Sequence, residues 1–178
     1  MSTNTSIYIV LSKTGTLLSR AITLVTGDKF CHASISFDTT LKEMYTFGRK
    51  WGYLPFPGEY TIESTNHGTF KQFSNSEILI IKINTDTHKQ YMLKRHLNNM
   101  YRHRNKYGFN YIGLILAGAG IRFKYKNRYY CSEFVRNVLV KYNIIDMPTN
   151  KIIRPIEFLD MQNIEIVYIG NLRNYAEL

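Results

Sequence analysis

The sequence predicts an α+β fold in which an antiparallel sheet packs against helices. The first observation behind this prediction is the order of the elements, in which consecutive strands outnumber single crossovers between strand and helix. The second is an alternating strand near the N-terminus that returns through a short turn. The third is the length of 178 residues, which suits one domain spanning residues 1–178.

Strands dominate the predicted elements of the first half. Residues 6–12 form an apolar run that predicts a buried strand, and residues 14–27 have the spacing of an amphipathic helix that ends at Gly27. Alternating residues 30–37 and 43–49 predict a hairpin. Two prolines and several glycines then mark a loop at residues 51–58, a candidate cleft wall, before a short strand at residues 60–64.

Helices dominate the second half, after a predicted strand at residues 76–84. Residues 89–106 predict a basic helix, residues 111–118 an apolar one and residues 131–142 an amphipathic one, and a last strand covers residues 164–170. The buried stripe of the basic helix is expected to contain Leu93, Leu97, Met100 and Tyr101. The longest apolar run, residues 111–121, is shorter than the ~20 residues that a membrane span needs, so it is expected to be core or at most interfacial.

The chain is strongly basic, with 23 Lys and Arg residues against 13 Asp and Glu residues. This balance suits a polyanionic partner such as nucleic acid, and tyrosines accompany the cations of the basic helix. A solvated helix face explains the same charges, so nucleic-acid binding is the secondary interpretation. The N-terminal residues do not resemble a signal peptide and two cysteines make no disulfide framework, so we expect a cytoplasmic protein.

The sequence predicts neither a metal site nor a cofactor. The histidines are scattered, and two cysteines provide no closed zinc set. The segment LAGAGI contains two spaced glycines, but it follows an apolar helical run and lacks the third glycine of a phosphate-binding loop. Close packing is the simpler interpretation of these glycines.

His32 and Cys131 are the residues with candidate chemistry. Alternation along the strand puts His32, Ser34 and Ser36 on one face and Cys31 on the other, so Cys31 is not the partner of its neighbour. Small neighbours leave the imidazole accessible, as a general base requires. Cys131 opens the amphipathic helix, where the partial positive charge of the N-terminus stabilises a thiolate. The competing interpretation is that Cys131 fills the core.

Four sequence motifs carry a family resemblance. The pair HASISFD in an early strand and YYCSEFV at the start of a late helix, with EMYTFGR and YGFNYIGL between them, resembles the circularly permuted branch of the papain-like NlpC/P60 superfamily. The resemblance implies that Cys131 is the nucleophile and His32 the general base of a thiol-dependent hydrolase. It also implies a small peptide, amide or lipid acyl substrate, peptidoglycan-type peptides included. An inactive binding module on the same fold is the alternative.

The resemblance implies a third, polar residue that orients the imidazole. If the hairpin pairs Ser36 with Glu43, the side chain of Glu43 lies on the face of His32. Glu43 is the first choice because a carboxylate stabilises imidazolium better than a phenol does. The other candidates are Tyr45 in the same register, Thr46 after a shift of one residue, and Glu63 on the next strand.

Overall fold

The computed structural model describes residues 4–15, 23, 27–49 and 57–175. Its largest element is a six-stranded antiparallel sheet with the strand order β4-β3-β2-β1-β5-β8. These strands are β1 (Asn4–Lys13), β2 (His32–Ser36), β3 (Met44–Arg49), β4 (Gly58–Glu63), β5 (Glu77–Asp86) and β8 (Ile164–Asn171). Two short strands, β6 (Gly108–Phe109) and β7 (Arg128–Tyr129), form a separate parallel pair. The predicted class, α+β with an antiparallel sheet packed against helices, is confirmed.

Helices lie on both faces of the sheet, and the two longest pack on the same face. The helices of the described residues are α1 (Gly68–Gln72), α2 (Thr87–Arg102), α3 (Tyr111–Gly118) and α4 (Cys131–Lys141). The carboxylate of Asp86 accepts a hydrogen bond from the backbone N–H of Lys89 and caps α2. The apolar side of α2 packs with the phenylalanine and valines of α4 on the strands beneath. Three of the four predicted stripe residues, Leu93, Leu97 and Met100, are buried, and the fourth, Tyr101, is partly buried.

The opposite face of the sheet is also covered, which differs from the prediction of a polar face lining a site. Ser34 and Ser36 are fully buried, and a second apolar cluster forms over this face. The cluster contains Val10, Leu41, Met44, Phe70, Ile78 and Ile80. The covering groups come from α1 and from the C-terminal segment, which the sequence interpretation did not assign to this face. Within β2, His32 at the first position is the one residue that is not buried.

The register of the β2–β3 hairpin differs by one residue from the register that favoured Glu43. Ser36 lies opposite Met44, and Ile35 lies opposite Tyr45. The connection contains Leu41 in the left-handed region, with φ of 52°, and its side chain is buried in the second cluster. Burial of the Leu41 side chain holds the residue in this conformation, which residues other than glycine seldom adopt. The shift exchanges the two faces of β3, as a change of one residue must.

Most other elements agree with the prediction to within a few residues. The predicted helix at residues 14–27 and the predicted loop at residues 51–58 lie largely outside the described residues. The predicted apolar helix is present as α3, but Ile112 and Ile115 are exposed, so its outer side is not core. Across the described part of the chain, none of the helices combines the length and the apolar character that crossing a membrane requires.

Candidate active site

His32 is the first residue of β2 and forms an ion pair with Glu63, the last residue of β4. The Nε2 atom of His32 lies 2.9 Å from Oε2 of Glu63. The two side chains are 18% and 15% exposed, so the contact is partly shielded from water. Since Nε2 is occupied by the carboxylate, Nδ1 is the ring nitrogen left for another partner.

That other partner is Cys131, the first residue of α4. The thiol of Cys131 lies close enough to His32 to raise the pKa of the ring, and its Sγ lies 4.0 Å from the backbone carbonyl oxygen of Cys31, the neighbour of His32. Helix α4 packs across β2 and β3, and this packing brings the start of the helix to the open end of β2. The structure therefore brings together the two residues that the sequence singled out, although they are far apart in the chain.

The surroundings of His32 increase the affinity of its ring for a proton. Burial lowers the pKa of the imidazole, but the negative charge of Glu63 and the proximity of Cys131 raise it by more. The net result is a pKa well above the usual 6.5. The carboxylate of Glu63 therefore stabilises a proton that the ring takes up.

Gly48 and Arg49, at the end of β3, shape the surroundings of the carboxylate. A Cβ atom on Gly48 would lie only 2.8 Å from Oε1 of Glu63, so a side chain here would displace the carboxylate. Burial lowers the pKa of Arg49, while the nearby charge of Glu63 raises it. Arg49 thus adds a positive charge close to Glu63. Glycine at position 48 leaves room for the Glu63 carboxylate. The glycine is visible in the sequence, but its role becomes clear only when the pairing of β3 with β4 is known.

The other candidates for the third position have different partners. Glu43 is exposed and precedes β3, and its charge and hydrogen bond act on Tyr45, not on His32. The Tyr45 hydroxyl donates to Oδ1 of Asn98 at 2.8 Å on the helix side of the sheet. The Thr46 hydroxyl donates to the backbone carbonyl of Ala33 at 2.7 Å. Glu63, the outside candidate of the sequence interpretation, is the carboxylate that contacts the ring.

A second buried carboxylate, Glu133, lies in the first turn of α4. It is 3% exposed, and its Oε2 has no hydrogen-bond partner within the described part of the chain. Burial raises the pKa of Glu133, and the charges of Arg136, Lys124 and Arg122 oppose this rise. The N–H of Tyr130 is hydrogen-bonded to the Glu133 carboxylate, so Glu133 helps to fix the start of the helix that carries Cys131.

Among the described residues, no group of three or more His, Cys, Asp or Glu side chains is arranged to hold a metal ion. Comparison of the chain with protein-family models, with curated proteins and with solved structures found no match. The chemistry of the site is therefore argued from its own residues, which are a thiol, an imidazole and a carboxylate close together.

Proposed function

We propose that the protein is a thiol-dependent hydrolase or acyltransferase with a permuted papain-like fold of the NlpC/P60 type. The observation that carries the proposal is the position of His32, which contacts the thiol of Cys131 and the carboxylate of Glu63 at once. A nucleophile, a base and a group that orients the base are the three parts that such a site requires. In this assignment Glu63 takes the third position, for which Glu43 was the first choice from the sequence.

The proposed reaction begins with proton transfer from the Cys131 thiol to His32, which leaves a thiolate and an imidazolium. The sulfur attacks the carbonyl carbon of an amide or ester, and the imidazolium gives its proton to the leaving amine or alcohol. The acyl group is then bound to sulfur as a thioester. Water attacks this thioester with His32 as the base, and the products are a free acid and the restored thiol.

Two groups near Cys131 suit the charge changes of this reaction. The first N–H groups of α4 have no acceptor within the helix and are available to stabilise a developing oxyanion. The negative charge of Glu63 stabilises the imidazolium that forms, and its contact with Nε2 leaves Nδ1 as the ring nitrogen for the thiol proton. The substrate class is a small peptide, an amide or a lipid acyl group.

Formation of an acyl-enzyme tests the proposal without knowledge of the natural substrate. The protein is incubated with an activated ester, p-nitrophenyl butyrate, and its mass is measured intact and after digestion. We expect a single butyryl adduct on Cys131 that water removes. Cys131→Ala should form no adduct, and the control Cys31→Ser should react as the native protein does. An adduct that forms equally well in Cys131→Ala would refute the assignment of the nucleophile.

A further inference from the structure

The positive charge of the chain is concentrated in one continuous segment. Residues 87–132 contain ten of the 23 Lys and Arg residues and none of the 13 Asp and Glu residues. The remainder of the chain therefore has 13 residues of each sign, and the whole formal excess of +10 arises from this segment. It covers α2, α3 and the loop between α3 and β7.

The end of this segment also exposes large apolar side chains. Ile112 and Ile115 on the outer side of α3 are 59% and 73% exposed. The loop that follows adds three further exposed side chains, Ile121, Phe123 and Tyr125. Cations alternate with them along the loop, at Arg122, Lys124, Lys126 and Arg128. We refer to the exposed side chains of residues 111–128 as the basic-apolar surface.

A groove of about 520 Å³ lies beside these apolar side chains. One wall is the segment 105–108 and the other is the segment 124–128. Its cations are Lys106, Lys124, Lys126 and Arg128. The guanidinium of Arg128 stacks over the ring of Tyr125 at 5.3 Å, which holds one of these charges at the groove. A groove of this size and charge suits a phosphate-containing headgroup.

We propose that the basic-apolar surface docks on an anionic lipid bilayer. The isoleucines and Phe123 enter the region between headgroups and acyl chains, and the cations of the groove bind lipid phosphates. Interfacial binding of this kind requires both components, apolar area and positive charge, on one surface. The proposal is independent of the chemistry assigned to Cys131.

The aliphatic side chains favour a bilayer over nucleic acid. A nucleic-acid surface uses cations with aromatic rings that stack on bases, and exposed isoleucines add nothing to such contacts. In a bilayer the same isoleucines leave water, which is favourable in proportion to their exposed area. The docked surface is also close to the start of α4 along the chain, because Arg128 precedes Cys131 by three residues.

Vesicle sedimentation tests the proposal with phosphatidylcholine vesicles that either contain or lack phosphatidylserine, near physiological ionic strength. We expect binding only to the anionic vesicles. The double variant Ile112→Ser/Ile115→Ser should bind about tenfold more weakly, because apolar area no longer leaves water. The double variant Lys124→Gln/Lys126→Gln should lose about fivefold for each lysine. Cys131→Ala should bind as the native protein does.

The exposed isoleucines of β8 provide the matched control. Ile166 and Ile169 are 52% and 59% exposed, and they lie outside the basic segment. The control Ile166→Ser/Ile169→Ser should leave vesicle binding unchanged, and thermal melts should show that each variant is folded. If the α3 variant melts early, Ile121→Ser in the loop replaces it.

The proposal is overturned if the native protein fails to bind anionic vesicles. It is also overturned if the control weakens binding as much as the α3 variant does. Binding of a single-stranded oligonucleotide that the lysine variant weakens and the isoleucine variant does not, without vesicle binding, would identify a nucleic-acid surface instead.

Discussion

The two cysteines lie side by side and are equally buried, yet they differ in their surroundings. Cys31 and Cys131 are 7% and 6% exposed. Both thiols lie near a backbone carbonyl oxygen, that of Ser12 at 3.7 Å for Cys31 and that of Cys31 at 4.0 Å for Cys131, but of the two only Cys131 contributes to the raised pKa of His32. An imidazole can take up the proton of a neighbouring thiol, and a carbonyl oxygen cannot. Burial alone therefore does not decide whether a cysteine fills the core or reacts.

The largest expected effect is on the alkylation rate of Cys131 when the imidazole of His32 is removed. His32→Ala should slow alkylation of Cys131 by iodoacetamide at pH 7 by roughly 30-fold, because a thiol without such a partner is only a few per cent thiolate. Peptide mass spectrometry of the alkylated protein gives the rate at each cysteine separately. Cys31→Ser is the control and should change the rate at Cys131 by less than about twofold. Equal alkylation rates at Cys31 and Cys131 in the native protein would show that the surroundings of Cys131 do not make it the more reactive thiol.

The ion pair behind this difference should also appear in the pH dependence of stability. Because the folded-state pKa of His32 is raised, the pair stabilises the fold fully below the unfolded value of 6.5 and less as pH rises through the folded value. Glu63→Gln should therefore lower the free energy of unfolding by about 1–3 kcal/mol near pH 6 and by less near pH 9. Urea denaturation at the two pH values measures this. An equal loss of the free energy of unfolding at the two pH values would contradict the ion pair between His32 and Glu63.

Gly48→Ala should weaken the contact between Glu63 and His32 without changing any charged residue. The added methyl would meet Oε1 of Glu63 at 2.8 Å and displace the carboxylate from His32. We expect alkylation of Cys131 to slow by a few fold, on the order of 1 kcal/mol for a weakened hydrogen bond. Gly170→Ala is the matched control, since its methyl would meet only the side chain of Tyr168 in β8. Similar slowing in both variants would point to a general loss of stability.

The smallest effect is expected at Glu43, the carboxylate that the sequence favoured. Glu43→Gln should leave the alkylation rate of Cys131 within about twofold, because an exposed charge that acts on Tyr45 has little influence on a shielded pair elsewhere. The same mass-spectrometric assay measures it beside Glu63→Gln. A slower rate in Glu43→Gln than in Glu63→Gln would restore Glu43 as the third residue.

Most of the described strands and helices, and the choice of His32 and Cys131 as candidates, followed from the sequence, because periodicity and residue type carry that information locally. The carboxylate that contacts His32 did not, because it depends on the register of β2 against β3. That register depends on Leu41, whose left-handed backbone conformation and burial under α1 require the tertiary structure. Met44 lies opposite Ser36 on β2 and opposite Glu63 on β4, so the side chains of Ser36 and Glu63 are on the same face of the sheet. Local turn signals could not supply this.

The burial of the sheet face that carries Ser34 and Ser36 could also not be predicted from the sequence. Ser34 and Ser36 look solvent-facing in an alternating strand, yet both are buried. The Ser36 hydroxyl donates to the backbone carbonyl of Asp38, so a local hydrogen bond satisfies it without water. Alternation identifies which side chains share a face, but another element of the chain decides whether that face meets solvent.

The position of Cys131 late in the chain has a consequence for synthesis. His32 and Glu63 leave the ribosome before the nucleophile does, and elongation at about 5–20 residues per second separates them by several seconds. Until α4 docks on the sheet, the thiol has no imidazolium beside it and has ordinary reactivity. We therefore expect rapid alkylation of Cys131 to develop only with the last phase of refolding, as pulsed iodoacetamide would reveal. Under the proposed function, a nascent or truncated chain would carry the base without its nucleophile and would be inactive.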